Sequence, residues 1–464
     1  MKKYKISIYL KRGVIEKIMI LILAIALLYL LIALYFMNHF FINTFINGVD
    51  VSLKAYADID DLFIPYTSEY KLQLIERKGE IEIINGKDIG LHYNKKNSVT
   101  KIYKKQKSIM WINSLFQEQK YVVNDLFVYN KVQLVNKVNE LKCLNREIVE
   151  PQNVRFKFYN GSYELIKEIY GNKINRDKLL ETIITSILKG SSMLDLDANL
   201  CYENPKYTIN SDKTVSTKNL LNKYAAANIT YLFGSKKEIC DGNTINRWLY
   251  VNEDLDVVIN EADVLRYVQA LGSKYDTVGT ARNFKTSTGK MVEVKGGIYG
   301  WKIHADAEMK SLISMIKLGE TVEKEPIYAQ KAFSREIDDI GNTYVEVNIT
   351  RQHVWFYKDG KLLTHGAVVT GNPNKGHSTK LGIYMLNYKI KGATLRGPGY
   401  EAEVTYWMPF YGNIGLHDAS WRYSFGGEIY KLRGSHGCVN APLYLAKKIY
   451  ENIEEGTPFI CYEE

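Results

Sequence analysis

The chain has 464 residues, of which 46% are hydrophobic and 24% are charged, and its formal net charge is +10. A globular chain of this length holds roughly two to four domains, and its composition excludes a mainly disordered or collagen-like protein. Residues 1–17 hold six basic residues and one acidic residue, so the rest of the chain carries a small, dispersed excess, which excludes a nucleic-acid-binding footprint.

Residues 18–37 form a twenty-residue apolar run without a charge. A helix of this length spans about 30 Å, the thickness of a hydrocarbon core, and the single run excludes a polytopic membrane protein. All the flanking basic residues precede it. The positive-inside tendency therefore predicts a cytoplasmic tail at residues 1–17 and an extracellular location for everything after Met37. A cleaved signal peptide is the alternative, but no small-residue cleavage site follows the run.

Five cysteines lie after this run, at Cys143, Cys201, Cys240, Cys438 and Cys461. Outside the membrane, an odd number leaves at least one thiol unpaired unless two chains pair with each other. The spacing resembles neither a zinc knuckle nor a disulfide framework, so neither a metal nor a cofactor is expected. We interpret most of these cysteines as small buried side chains, and only the surroundings of Cys438 indicate chemistry.

The middle of the chain contains an internal repeat. Residues 171–190 and 300–319 align at a constant offset of 129 and share seven identical positions. Each copy predicts a helix that follows a strand pair, and Asn175 is the predicted N-cap of the first helix.

The repeat predicts tandem α+β modules over residues 120–195 and 215–325, after a membrane-proximal α/β region at 38–119. Three segments of the second copy resemble the tandem domains, named for peptidoglycan binding, that precede L,D-transpeptidase catalytic domains; they are Ala225–Gly234, Lys274–Gly279 and Gly297–Lys302. The resemblance implies wall binding. A rigid spacer is the equally weighted alternative, because no residue of the repeats shows binding chemistry.

An alternating pattern typical of half-buried strands predicts a mostly β domain over residues 342–463. Asp359-Gly360 predicts a type I′ hairpin turn within it. One helix is predicted to close the chain, with Asn440 as its N-cap and Pro442 in its first turn. Its predicted buried stripe consists of Leu445, Ile449 and Ile453.

The segment Gly434–Asn440, with the sequence GSHGCVN, indicates catalysis. Cys438 lies two residues before the predicted helix cap, where backbone N–H groups and the helix dipole would favour a negative sulfur and could hold an oxyanion. A thiol nucleophile also needs a base, and His417 and His436 are the two candidates.

This segment and the upstream His417-Asp418 pair resemble the signature of the L,D-transpeptidase (YkuD) catalytic domain. The resemblance covers about residues 120–463, and its C-terminal part is the most specific. It implies a YkuD-like β-sandwich at the C-terminus. The run Ser378–Gly382 departs from the Thr-Pro-x-Gly that family members often carry, which puts this loop's contribution to substrate shape in question.

The resemblance implies a role for each site residue. Cys438 is the expected nucleophile and His417 the expected general base and acid, while the backbone carbonyl of Asp418 is expected to orient the imidazole. The expected oxyanion site and turn contain Ser435, His436 and Gly437. The side chains expected to line the substrate cleft are Tyr406, Trp407, Trp421 and Arg422, although core packing is the expectation for at least two of the cleft aromatics.

The implied reaction is acyl transfer in the bacterial cell wall. Cys438 attacks the carbonyl of the third residue of a peptidoglycan tetrapeptide stem and expels D-alanine, and a side-chain amine of another stem takes the thioester, giving a 3→3 cross-link. The expected partners are therefore stem peptides and the membrane, without nucleic acid.

Three alternatives remain open from the sequence. With water as acceptor the enzyme is an L,D-carboxypeptidase, and with a silent site the chain is a non-catalytic wall-binding protein. A zinc metallopeptidase would use His417, Asp418, His436 and Cys438 as ligands. This last reading is the least favoured, because no HExxH-like helix is present and adjacent ligands need an unusual geometry.

Overall fold

The computed structural model describes residues 2–95, 99–335, 338–397 and 400–464. The chain divides into two compact units. Met1–Arg155 and Ile166–Ser211 form the first unit, and Phe156–Leu165 and Asp212–Glu464 form the second.

The first unit begins with a long helix, α1 (Lys2–Tyr35). Its stretch Gly13–Tyr35 is 23 residues long and apolar enough to cross a membrane, and few of its side chains are buried. The other helices before residue 212 are α2 (Ile59–Glu69), α3 (Val99–Lys105), α4 (Lys131–Asn139) and α5 (Arg176–Leu188), with short 3-10 helices at Tyr56–Asp58, Gly86–Ile89, Ser108–Leu115 and Lys142–Leu144.

The strands before residue 212 are short. They are β1 (Thr44–Ile46), β2 (Val49–Asp50), β3 (Lys71–Ile75), β4 (Ile81–Asn85), β5 (His92–Tyr93), β6 (Gln119–Tyr121), β7 (Phe127–Val128), β8 (Arg155–Tyr159), β9 (Ser162–Ile166) and β10 (Met193–Asp195). The sheets run β2-β1-β6 and β10-β3-β4, with the pairs β5-β7 and β8-β9. One hydrophobic core draws residues from Phe40 to Tyr202.

The second unit contains most of the β8-β9 hairpin and, from Asp212, the second module. Its helices are α6 (Asp212–Ala225), α7 (Gly242–Ile245), α8 (Glu261–Tyr275) and α9 (Ala305–Leu318), with a 3-10 turn at Asn246–Trp248. Its strands are β11 (Asn228–Phe233), β12 (Lys236–Cys240), β13 (Leu249–Val251), β14 (Val257–Ile259), β15 (Arg282–Lys285), β16 (Met291–Val294), β17 (Lys302–Ile303), β18 (Thr321–Lys324) and β19 (Tyr328–Gln330).

The two modules share one topology, which confirms the predicted repeat. In each, an antiparallel hairpin (β3-β4, β11-β12) pairs with a parallel strand that follows the repeated helix (β10, β18). Asn175 caps α5 by accepting from the Lys178 N–H, as predicted, and His304 caps α9. The central hairpin of the first module lies before residue 120, within the stretch that the sequence assigned to a separate membrane-proximal region.

The second module packs directly on the C-terminal domain. Its β15-β16 hairpin shares a buried cluster with strands of that domain, and the buried Arg282 guanidinium pairs with Asp339 at 3.0 Å. The Ser287 N–H donates to the buried Glu346 carboxylate at 2.9 Å. Gly297 bridges to Ile383, and only glycine fits there because an added Cβ would lie 2.0 Å from the Ile383 carbonyl oxygen.

The C-terminal domain consists of two sheets around one core, which confirms the mostly β prediction. Its strands are β20 (Tyr344–Asn348), β21 (His353–Lys358), β22 (Lys361–Ala367), β23 (Gly382–Met385), β24 (Ile390–Gly397), β25 (Tyr400–Tyr411), β26 (Ile414–Asp418), β27 (Val439–Ala441) and β28 (Pro458–Tyr462), its helices are α10 (Ile429–Arg433) and α11 (Leu443–Asn452), and a 3-10 turn lies at Pro373–Lys375. The sheet orders are β22-β21-β20-β28-β23 and β24-β25-β26-β27.

The predicted cap at Asn440 is wrong. Asn440 lies in β27, where its backbone exchanges two hydrogen bonds with Val369, and α11 begins at Leu443 with Pro442 as the preceding residue. The ladder holds Asn440 in an extended conformation, so the helix cannot start there. The buried stripe is confirmed, although β28 rather than the helix ends the chain. All three predicted stripe residues, Leu445, Ile449 and Ile453, are fully buried.

Candidate active site

The register of three strands brings the predicted catalytic residues to one face of a sheet. Trp407 lies opposite His417, and His417 lies beside Asn440 on the parallel strand β27. Cys438 immediately precedes β27 and lines the same cavity as His417 and Asn440.

His417 is held in one orientation. Its Nδ1 lies 2.8 Å from the backbone carbonyl oxygen of Asp418, the contact that the sequence analysis expected. A carbonyl can only accept, so Nδ1 carries the proton and Nε2 is the basic nitrogen. The ring centroid lies 5.8 Å from that of Trp407 and 6.0 Å from that of Trp421. Burial lowers the pKa of His417, so the imidazole is neutral at neutral pH.

The Asp418 carboxylate has a different task from its carbonyl. It accepts from the Tyr406 N–H at 2.7 Å and from the Thr405 N–H at 2.9 Å, and the residue is 1% exposed. The side chain thus ties β26 to β25, and its acceptor sites are used by the backbone, which argues against a zinc ligand at this position.

The surroundings of Cys438 favour a protonated thiol. Its Sγ lies 3.6 Å from the Asn413 carbonyl oxygen, to which it donates, and burial raises the pKa of the thiol to about 11 against the opposing effect of the Gly415 N–H. The expected helix dipole is missing, because Cys438 precedes a strand. The predicted helix-dipole effect is therefore wrong, and the raised pKa of the thiol together with the lowered pKa of His417 favours a neutral pair at rest.

Alkylation of Cys438 should report this protonation state. Because the thiolate is the nucleophile, we expect the rate with iodoacetamide to rise about tenfold per pH unit from pH 7, without a plateau before about pH 10. Mass spectrometry at each pH measures the rate. The Cys438→Ala variant is the control for the four other cysteines, which are buried. A plateau near pH 6 would instead indicate a resting thiolate–imidazolium pair.

The turn before Cys438 is braced from both sides. The Ser435 Oγ accepts from the Gly437 N–H at 3.0 Å and donates to the Cys438 carbonyl at 2.6 Å. Gly437 has φ +122°, a conformation that L side chains rarely adopt. The Gly437 N–H is thus engaged at rest, and its predicted oxyanion role stays a prediction. His436 is exposed, with its ring centroid 4.6 Å from that of His377.

A second brace comes from Thr379, in the loop that departs from the family pattern. Its buried hydroxyl accepts from the Gly371 N–H at 3.0 Å and donates to the Gly437 carbonyl at 2.7 Å. Sequence reasoning assigned this loop a part in substrate shape and missed the contact, because the two loops lie far apart in the chain.

Removal of this hydroxyl should loosen the turn. Thr379→Val keeps the side-chain shape but leaves two buried backbone groups unpaired, at a cost of about 1–3 kcal/mol. We expect acylation of Cys438 to slow roughly 10- to 100-fold through misplacement of the sulfur. Single-turnover mass spectrometry measures this rate. Ser378→Ala, at the exposed neighbouring residue, is the control, and equal rates in both variants would contradict the role of Thr379.

Cys438 and His417 open into one cavity of about 570 Å³. Its lining comprises Leu395, Glu401, Ala402, Glu403, His417, Ser420, Trp421, Arg422, Gly434, Ser435, His436, Cys438 and Asn440.

Two of the four predicted cleft residues line this cavity, Trp421 and Arg422. The other two do not. Tyr406 packs in the core against Tyr450, and Trp407 packs against His417. The expectation of core packing for at least two aromatic residues therefore holds.

Asn440 lines the candidate active site, although the sequence analysis predicted it only as a helix N-cap. It is 3% exposed and lines the cavity beside His417, and its Oδ1 has no hydrogen-bond partner among the described residues. The Nε of Arg422 is likewise buried without one in the described part of the chain, while its Nη2 donates to the Arg433 carbonyl at 2.7 Å. The cavity thus offers an unused acceptor and a partly unused cation to a polar ligand.

Comparisons with known proteins identify the family. Residues 342–461 match the model of the L,D-transpeptidase catalytic domain, YkuD. Residues 84–195 and 207–323 match the PG_binding_4 model, which is named for peptidoglycan binding. The structure of the Ldtfm–avibactam carbamoyl enzyme is 33% identical over 54% of this chain and 98% of its own, with a TM-score of 0.45. The chain belongs to the L,D-transpeptidase family.

Two further structures are similar to this L,D-transpeptidase. A cysteine-to-serine mutant of the Enterococcus faecium L,D-transpeptidase is 32% identical over 54% of this chain and all of its own, with a TM-score of 0.44. The E. faecium catalytic domain acylated by ertapenem is 38% identical over 26% of this chain and 98% of its own, with a TM-score of 0.25. The comparison with curated proteins gave no match. The chain is thus a transpeptidase, and its family domains imply a peptidoglycan substrate.

Proposed function

We propose that this L,D-transpeptidase forms 3→3 cross-links through a thioester on Cys438. The observation that carries the proposal is the shared cavity of a thiol and a neutral imidazole whose Nδ1 is fixed by the Asp418 carbonyl. This arrangement supplies a nucleophile, a base with its lone pair free on Nε2, and a group that orients the base.

The acylation half-reaction starts from the neutral pair. As Sγ attacks the carbonyl carbon of the third stem residue, His417 Nε2 takes the thiol proton, which gives a tetrahedral oxyanion and an imidazolium. The imidazolium then protonates the departing amine, so D-alanine leaves as the C–N bond breaks. The thioester and the neutral imidazole remain.

The second half-reaction regenerates the thiol. A side-chain amine of another stem attacks the thioester carbonyl and gives its proton to His417. The C–S bond then breaks, and the imidazolium returns a proton to the sulfur. Water in place of the amine would give the L,D-carboxypeptidase reaction by the same steps.

We propose Asn440, Trp421 and Arg422 as substrate-binding residues. The unpartnered Oδ1 of Asn440 suits a peptide N–H of the stem, and the Arg422 guanidinium suits a stem carboxylate. The exposed indole of Trp421 offers an apolar wall beside His417.

Incubation of the purified chain with tetrapeptide muropeptides tests the function. We expect mass spectrometry to detect cross-linked dimers and released D-alanine. Tripeptides without dimers would assign the hydrolytic reaction, and unchanged substrate would assign a non-catalytic wall-binding role. Zinc bound at stoichiometric amounts, with activity that a chelator removes, would contradict the thiol mechanism.

We further propose that α1 anchors the chain in the cell membrane, with residues 1–17 in the cytoplasm and residues 38–464 at the wall. The boundaries of the tail, the span at 18–37, the modules and the catalytic domain at 342–463 belong to this proposal. The support is one long apolar helix with basic residues before it.

Protease accessibility should report this orientation. A membrane-impermeant protease added to wall-stripped cells should degrade everything after Met37, because that part lies outside. A tag on the N-terminus should survive until detergent opens the cells. A protected catalytic domain would reverse the orientation.

A further inference from the structure

The first module contains a segment that the second module lacks. Between the central hairpin and the following helix, the second module uses residues 241–260, whereas the first uses residues 86–130. The longer connection contains α3 and the 3-10 segment Ser108–Leu115, in which Ser114 is the buried residue. Val99 and Leu126 of the longer connection pack into the core of the first unit, whereas the described residues 108–116 contribute no buried hydrophobic side chain to that core.

Residues 108–116, which we call the apolar segment, contain several large hydrophobic side chains that are exposed. Phe116 is 85% exposed, and four others are at least two-fifths exposed, namely Ile109, Met110, Ile112 and Leu115. An exposed apolar surface of this continuity marks an interaction site rather than an ordinary solvated loop.

The apolar segment lies against the outer end of α1. The Trp111 ring centroid is 5.4 Å from that of Tyr29 and 6.0 Å from that of Phe36, and the Tyr29 hydroxyl donates to the Ile109 carbonyl. Tyr29 precedes the end of α1 at Tyr35 by about 9 Å along the helix axis. The segment therefore lies beside the last two turns of the span, at the depth where interfacial helices bury their apolar side chains, about 5–10 Å into the boundary.

The positive charge on and just after α3 also favours a location of the apolar segment at the membrane surface. Lys101, Lys104, Lys105 and Lys107 are exposed, and no acidic residue occurs between residues 89 and 117. Lysines at a membrane surface gain about 1 kcal/mol each from anionic headgroups, and tryptophan is enriched at this level of the bilayer. An anionic membrane surface matches both the exposed apolar side chains and the row of exposed lysines beside a membrane span.

We propose that the apolar segment inserts into the outer leaflet of the membrane while the four lysines contact anionic lipid headgroups. The inference rests on the proposed anchoring role of α1 and adds a second attachment beside it. The two attachments fix the first module on the membrane surface and prevent its rotation about the span.

Photo-crosslinking of the full-length chain in lipid vesicles tests this inference. A photoreactive amino acid replaces Ile109 or, as a matched control, Ile81, an isoleucine of the same unit with the same 56% exposure. A third position, Leu27, reports insertion of the span itself. The vesicles contain equal parts of phosphatidylglycerol and phosphatidylethanolamine, and mass spectrometry quantifies the lipid adducts.

We expect the lipid adduct at position 109 to approach that at position 27 and to exceed that at position 81 at least about tenfold. Adducts at position 27 with equal, low yields at 109 and 81 would overturn the inference and leave the anchor intact. Absence of adducts at position 27 would overturn the anchor and the inference together. Crosslinks from position 109 to a second protein chain would assign the segment to a protein partner.

The lysine contribution is tested by vesicle composition. In phosphatidylcholine vesicles, which lack anionic headgroups, the adduct at position 109 should fall at least about twofold while that at position 27 stays constant. Equal yields at position 109 in both vesicles would overturn the electrostatic part of the inference.

Discussion

Cys438→Ala should lower cross-link formation at least about 1,000-fold while the fold persists, because the nucleophile is lost and the remaining groups act only through it. Cys438→Ser should fail almost as completely, since a hydroxyl is far harder to deprotonate than even a thiol whose pKa is raised. The assay is dimer formation from tetrapeptide muropeptides, with circular dichroism as the check on folding. Full activity in either variant would contradict the thioester mechanism.

Carbapenems extend the same test to an inhibitor. A carbapenem presents a strained β-lactam carbonyl, which suits attack by a thiol nucleophile, so we expect it to acylate Cys438. Intact-mass measurement should find one adduct on the natural chain and none on Cys438→Ala. The matched control is Cys461→Ala, a fully buried cysteine of the same domain, which should keep the adduct. An adduct on Cys438→Ala would identify another nucleophile.

The proposed nucleophile and base were predicted from local signals. Cys438 and His417 each lie in a short, distinctive run, and the Asp418 carbonyl is adjacent to the imidazole that it orients. The surroundings of the sulfur could not be predicted in this way. The proline and asparagine near α11 are typical of a helix start, but the ladder with Val369 and His417 keeps Asn440 extended, and this tertiary pairing overrides the capping preference.

The wrong helix cap at Asn440 also affected the expected pKa of the Cys438 thiol. A helix N-terminus would lower the pKa of Cys438, whereas a buried position before a strand raises it. The local motif is identical in both cases, so the sequence predicts the chemistry of the groups but not their resting charge. The same limit applies to Thr379, whose contact with Gly437 joins loops that are 58 residues apart.

The comparison of the two repeat copies at a constant offset missed the hairpin β3-β4 of the first module. Identity at fixed spacing located α5 and α9, because those glycines and apolar positions are set by local packing. The hairpin β3-β4 has the same place in the first module as β11-β12 in the second, but the longer connection after it shifts the spacing. A constant offset therefore could not align the two hairpins.

His417→Ala should lower the acylation rate of Cys438 by about 100- to 10,000-fold, the contribution typical of a general base. Because burial lowers the pKa of His417, the base is unprotonated at neutral pH, and the natural enzyme should lose activity only as the pH falls below the ordinary histidine range. His417→Ala should lose this acidic limb. His436→Ala should keep it, because in the proposed mechanism His417 rather than the exposed His436 takes the thiol proton. If His436→Ala lost the acidic limb and His417→Ala kept it, His436 rather than His417 would be the general base.

The backbone carbonyl of Asp418 contacts His417, whereas its side chain stabilises the sheet, so a side-chain substitution can distinguish the two roles. Its carbonyl orients His417 and survives any side-chain substitution, whereas its carboxylate holds the N–H groups of Thr405 and Tyr406. Asp418→Ala leaves the buried Tyr406 N–H without its acceptor, at a cost of about 1–3 kcal/mol, so the free energy of unfolding should fall. Below its lowered melting temperature, this variant should keep the pH profile of acylation and far more of the rate than His417→Ala. Asp418→Asn retains one acceptor oxygen and should recover part of the stability. A loss of the acidic limb in folded Asp418→Ala would show that the carboxylate, and not the carbonyl, orients the His417 imidazole.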